Sequence, residues 1–112
     1  MKNLKTFEAC IAACNSCADD CNMCMAACLQ EADVTMMANC IALDVDCAQI
    51  CSFAAAAMAR NSPYAKAICA LCADICQSCA DECSKHQMDH CQKCAASCRE
   101  CAVECRAIAT SA

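Results

Sequence analysis

The chain has no glycine, no tryptophan, one proline and one tyrosine in 112 residues. Each shortage removes a class of structure. Without glycine, left-handed turns, tight hairpins and phosphate-cradling loops lose their usual material. With one proline as well, the punctuation of strand-rich folds is almost absent, and all-α is the class left standing. A net charge of −5, with two phenylalanines and one tyrosine, supplies neither a basic stripe nor a stacking platform, which excludes nucleic acid as a partner. Two lysines lie in Met1 to Glu8, but no signal-length apolar run or twin arginine follows, and no stretch reaches the roughly 20 apolar residues of a membrane span. The expectation is a cytoplasmic protein with no membrane partner.

Aliphatic core builders are also scarce: Val, Leu, Ile and Phe together number 15. Such a chain would lean toward disorder if nothing replaced them. What replaces them is cysteine, of which there are 19. A protonated thiol is small, apolar and among the most buried of side chains.

The cysteines recur three or four residues apart, the interval that keeps side chains on one stripe of a helix. One run is Cys10, Cys14, Cys17, Cys21, Cys24 and Cys28. A shorter one is Cys40, Cys47 and Cys51. The others are Cys69, Cys72, Cys76, Cys79 and Cys83, then Cys91, Cys94, Cys98, Cys101 and Cys105. Four helices follow: about Thr6 to Glu31 with Thr6 as cap, Thr35 to Asn61, Pro63 to Lys85 with Ser62 as cap, and Asp89 to Ala109, where Gln92 completes a capping box. Connections this short predict an antiparallel up-down-up-down four-helix bundle, one domain over residues 1–112, with a cysteine-lined core.

The register sorts the two ends. Cys28, Met36, Met37, Cys40, Cys83, His86, Met88, His90 and Cys91 fall at one mouth. Phe7, Phe53, Met58, Tyr64, Ile68 and Ile108 fall at the other, which reads as plugged. Ile41, Ile50, Ile68, Leu71 and Ile75 flank the cysteine stripes, where they pack helices together or hold bundles together as an oligomer.

Disulfides fit poorly, because the count is odd and a reducing compartment keeps thiols free. Soft thiolate and thioether donors select Cu(I), zinc or iron-sulfur clusters. Zinc and iron-sulfur sites want four converging sulfurs, usually from loops, and regular helical spacing is not expected to gather four at a point. Cu(I) accepts two or three, so a C-x-x-x-C or C-x-x-C pair one turn apart clamps an ion. Burying net charge is costly, which favours one monovalent ion per thiolate, roughly 15 to 20 per chain. An iron-sulfur electron carrier and a zinc-buffering, metallothionein-like protein are the alternatives, the first brown where Cu(I)-thiolate is colourless. A thiol oxidoreductase would expose one low-pKa pair, whereas these stripes point inward.

Three other side chains are candidate ligands. His86 and His90 stand beside Cys83 and Cys91 at the mouth. Asp44 occupies an inward position on the second stripe, where a carboxylate is costly unless paired or metal-bound; rotation of the helix would substitute Leu43. Met36 and Met37 face different directions, so at most one points inward, and Met23, Met25 and Met58 read as packing.

Taken together, the opening C-x-x-x-C-x-x-C stripe, Cys69-Ala70-Leu71-Cys72-Ala73-Asp74-Ile75-Cys76, and Cys83-Ser84-Lys85-His86 through His90-Cys91-Gln92-Lys93-Cys94 resemble the bacterial four-helix-bundle copper storage proteins. The resemblance is to the branch that lacks an export signal and works in the cytosol, and it spans essentially the whole chain. It implies a non-enzymatic store in which the 19 cysteines hold many Cu(I) ions, with supplementary ligands near the open end and tetrameric assembly. Copper chaperones or efflux proteins are the partners such a store would exchange with. Met36-Met37 departs from the histidines that the resemblance leads one to expect there in some relatives.

Overall fold

The computed structural model describes residues 4–111, with side chains from Phe7 to Ser111. Helix α1 spans Leu4–Cys28, α2 Ala38–Ala59, α3 Ala65–Cys83 and α4 Asp89–Ala109, and a 3-10 turn at Thr35–Met37 leads into α2. No strand occurs among the described residues. Each helix lies against two neighbours in a ring, α1 and α3 both touching α2 and α4. The result is a rod of 50 × 19 × 18 Å. Sulfur contacts set its register: Cys10 meets Cys105 and Cys28 meets Cys91 across α1 and α4, while Cys17 meets Cys47 across α1 and α2. Adjacent helices therefore run antiparallel, as the short connections require.

The helix ends depart from the cysteine spacing because backbone hydrogen bonds set them. Thr6 lies within α1, so it is not a cap, and the last turn tightens as Gln30 N–H reaches Ala27 O at 3.0 Å and Glu31 N–H reaches Cys28 O at 3.1 Å. The end of α2 is a Schellman turn. Asn61, at φ 55°, takes the left-handed position that glycine would fill in another chain, Ser62 N–H bonds Ala57 O and Asn61 N–H bonds Met58 O. Ser62-Pro63 then precedes α3 instead of opening it, with the Ser62 hydroxyl accepting from Tyr64 N–H at 3.1 Å. Helix α4 begins at Asp89 as predicted, but no capping box forms. Gln92 donates instead to Ser84 O and His86 O, tying α4 to the end of α3.

All 19 cysteines are buried, none more than 1% exposed. Between them sit alanines, including Ala54, Ala73, Ala80 and Ala95, and among the described residues the one buried acidic side chain is that of Asp44. The aliphatic residues Ile11, Ile41, Leu43, Ile50, Ile68 and Ile75 cover this core from outside, only partly buried. At the end away from the histidines Phe7, Met58 and Ile108 are buried. Phe53 and Tyr64 are not part of that plug, since they are 51% and 70% exposed. Met58 is the largest fully buried side chain there. Met58→Ala should cost the reduced metal-free protein about 2–5 kcal/mol, read as a lower urea midpoint.

One expectation about composition needs correcting. The segment Thr35–Ala59 is long and apolar enough to cross a membrane by length and composition. Its apolarity is spread over alanine, cysteine and the side chains Ile41, Leu43, Val45, Ile50, Phe53, Met36, Met37 and Met58, and its cysteine side faces the bundle interior. Asp44 on that buried side is what a helix in hydrocarbon would carry only at high cost.

Candidate metal centre

Each stripe delivers its sulfurs to the axis because every third or fourth side chain leaves the helix in the same direction. Among the described residues all thiols are free. Along a helix the C-x-x-x-C steps place sulfurs in contact, at 3.9 Å for Cys17–Cys21, 3.8 Å for Cys24–Cys28, 3.8 Å for Cys72–Cys76 and 3.9 Å for Cys101–Cys105. Between helices the contacts are as short or shorter: Cys40–Cys83 at 3.2 Å, Cys14–Cys105 at 3.5 Å, Cys51–Cys76 at 3.6 Å.

Four sulfurs do converge, contrary to what spacing along one helix implies. In Cys17/Cys21/Cys47/Cys98, Cys14/Cys72/Cys101/Cys105 and Cys24/Cys28/Cys40/Cys91 all four sulfurs lie within 4.8 Å of one another. The crossing of neighbouring helices makes these groups, which one stripe read alone cannot reveal. A Zn–S bond of about 2.3 Å needs tetrahedral edges of roughly 3.8 Å. Sulfur geometry therefore accommodates tetrahedral sites as well as lower coordination.

Asp44 is fully buried in this array, with Leu43 on the partly buried outer side. Oδ1 accepts from the thiols of Cys94 at 3.2 Å, Cys79 at 3.3 Å and Cys83 at 3.5 Å, and Oδ2 from Cys40 at 3.9 Å. Burial, reinforced by the charge of Cys94 when ionised, pushes the carboxyl up to about 10. It therefore carries a proton at neutral pH. The thiols show a related division. Cys40 is held low by hydrogen bonds from Cys24 and Cys83; Cys24 is held high chiefly by its bond to Cys40, and Cys83 chiefly by its bond to Cys24 and then by that to Cys40. Near the mouth, burial is the chief cause that raises Cys28 and that pushes Cys91 up to about 11.

The two histidines are not equivalent. His90 Nδ1 is 3.5 Å from both Cys24 Sγ and Cys91 Sγ and 3.9 Å from Cys28 Sγ. His86 Nε2 is 3.0 Å from Glu82 on the preceding turn, and its backbone carbonyl accepts from Gln92. So the structure brings Asp44 and His90 to the sulfurs, while His86 is anchored at the rim. Met37 is buried and Met36 is 58% exposed, in keeping with their different directions. The carboxylates on the histidines, Glu31 and Glu82, escaped the sequence reading. Glu82–His86 was visible as an i,i+4 pair, but Glu31 stands 59 residues from its partner His90.

A ring of four antiparallel helices that encloses free thiols and the Asp44 carboxyl, with the His90 imidazole at its mouth, defines a soft-metal-binding bundle. Residues 3–110 match the copper storage protein family, Csp, and the chain belongs to it. The uncharacterized cysteine-rich protein YhjQ of Bacillus subtilis (strain 168) is 52% identical over 82 residues, 73% of this chain and 76% of that protein. The Cu(I)-bound copper storage protein BsCsp3 superposes with a TM-score of 0.91 at 50% identity, covering 94% of this chain and 99% of that one. A cytosolic copper storage protein from Streptomyces lividans, in a structure with five coppers, gives 0.92 at 35% identity over 96% of this chain and 95% of its own. The Streptomyces lividans protein Ccsp has also been loaded with 10 copper equivalents (TM-score 0.91, 35% identity, 96% and 86% coverage).

Proposed function

We propose that this chain is a non-enzymatic cytosolic store of Cu(I), one storage domain over residues 1–112 that holds its cargo inside the bundle. The observation that carries this reading is the run of buried free thiols in mutual contact from Cys10 and Cys105 at one end to Cys28 and Cys91 at the other. Few arrangements are so ill suited to an enzyme and so well suited to a container. Every thiol faces the axis, and the mouth offers His90 in place of a substrate cleft.

Charge separates the candidate metals where geometry does not. Four thiolates around one divalent ion leave a buried charge of about −2, whereas four thiolates with four monovalent ions cancel, and uncompensated buried charge is expensive. Each step is a simple exchange: Cys–S–H and Cu(I) give Cys–S–Cu and a proton, which leaves to solvent. Affinity therefore rises with pH. In this reading all 19 cysteines are ligands, Asp44 sits among them as proton holder and supplementary ligand, and His90 receives copper at the mouth with His86 on its rim. The exposed Phe53 and Leu71 beside Ile50, Ile68 and Ile75 support assembly into a homo-oligomer, a tetramer by family likeness, and copper chaperones or efflux proteins would be the exchange partners.

Anaerobic titration of the reduced protein with Cu(I) against a chromophoric chelator should saturate near one ion per cysteine, roughly 15 to 20 per chain by charge balance. The product should be colourless, and equimolar zinc should not displace the copper. Saturation at one to four equivalents would refute storage.

A further inference from the structure

We propose that Glu31 is a positioning residue for copper uptake: it fixes the tautomer of His90 so that an unprotonated Nδ1 faces the sulfurs at the mouth. This rests on the reading of His90 as the receiving ligand. Glu31 Oε2 lies 3.0 Å from His90 Nε2. A carboxylate only accepts, so Nε2 must carry the proton, and in a neutral imidazole the other nitrogen is then a lone pair. That nitrogen is 3.5 Å from Cys24 Sγ and from Cys91 Sγ. The opposite tautomer would set a lone pair against the carboxylate and spend the N–H on a thiol.

The chain builds this contact from two elements. The tight turn after α1, closed by Glu31 N–H to Cys28 O at 3.1 Å, supplies Cys28 and Glu31 together. The first turn of α4 supplies His90 and Cys91. One hydrogen bond across the mouth thus aims the imidazole at the sulfur group that copper meets first. A partly exposed hydrogen bond of this kind adds little to folding stability. Its effect is exerted through His90, as carboxylates behind metal-binding histidines generally act, and loss of such a partner typically lowers metal affinity about 10–100-fold.

The test uses the full-length reduced protein and Glu31→Ala, with Glu8→Ala as an equal charge change at the far end. Histidine 15N NMR of the metal-free protein should show the Nε2–H form of His90 in the wild type and in E8A, and loss of that preference in E31A. Competition with a Cu(I) chelator should show the first equivalent bound about 10–100-fold more weakly by E31A, with final capacity and helicity unchanged. Adding E31A to His90→Ala should have no further effect. The proposal is overturned if E31A keeps the wild-type tautomer, if E8A weakens binding equally, or if E31A still weakens binding in the H90A background. If H90A alone binds the first ion like wild type, it is the reading of His90 that fails, and the tautomer spectra still judge Glu31.

Discussion

Filling the core with Cu(I) is expected to raise the thermal midpoint of the reduced protein by on the order of 30 °C or more. The cause is the poverty of the metal-free interior. Its fully buried side chains are mainly cysteine and alanine, while Ile11, Ile41, Leu43, Ile50 and Ile75 stay half outside. Each ion held at a free concentration a thousand times its dissociation constant adds about 4.1 kcal/mol, provided the unfolded chain does not bind it. A domain near this size gains about 4–8 °C per kcal/mol. Two well-held ions therefore suffice, and the remaining ones extend the effect. Calorimetry or circular dichroism melts of the apo and loaded forms, both under reductant-equilibrated anaerobic conditions, measure it directly. A shift of less than about 5 °C would mean that copper binds the unfolded chain nearly as well as the bundle.

The second large effect belongs to Asp44. Its carboxyl titrates near 10 in the folded protein and near 3.8 when unfolded. Between those values the folded state binds a proton that the unfolded state has released. The stability this provides is complete below about 3.8 and is lost steadily as pH rises toward 10. From pH 5 to pH 7, where unfolded-state thiols are still protonated, the slope from this group alone is about −1.4 kcal/mol per pH unit, or nearly 3 kcal/mol in all. Asp44→Asn keeps the shape and the acceptor oxygen for Cys79 and Cys94 but has no proton to lose. Urea unfolding of the two metal-free proteins at pH 5, 6 and 7 should show the wild type losing stability relative to D44N by that amount. Parallel pH profiles would mean that Asp44 is ionised in the folded core or that water reaches it.

The features legible in the sequence are those set within one helix. Three-and-four spacing put every cysteine on an inward stripe, and the same spacing put Asp44 there. Helix α4 was bounded as observed because Asp89 follows a polar turn. Features that depend on two helices meeting were not legible. The group Cys17/Cys21/Cys47/Cys98 takes sulfurs from three helices, and no interval along the chain encodes it. Phe53 and Tyr64 are exposed for a related reason: spacing along the chain sets their height on the rod, whereas their rotation about it is set by how neighbouring helices pack. At Asn61 the difficulty was local, since a left-handed cap without glycine gives a weak signal.

The four-sulfur groups have members in common. Cys17, Cys21, Cys98 and Cys101 each belong to two of them, and the group at the mouth, Cys24/Cys28/Cys40/Cys91, reaches the others through Cys40–Cys83 at 3.2 Å and Cys83–Cys94 at 3.9 Å, so the groups form one ladder of sulfur contacts and not closed cells. An ion can then travel the rod by letting go of one sulfur while still gripping others, never bare and never in bulk water. A single doorway is enough for such a store. With Phe7, Met58 and Ile108 buried at the far end and His90 only partly buried at the other, the proposed store would have its shortest path between sulfur and solvent at the histidine end, and the ions held there would be the first to meet an acceptor.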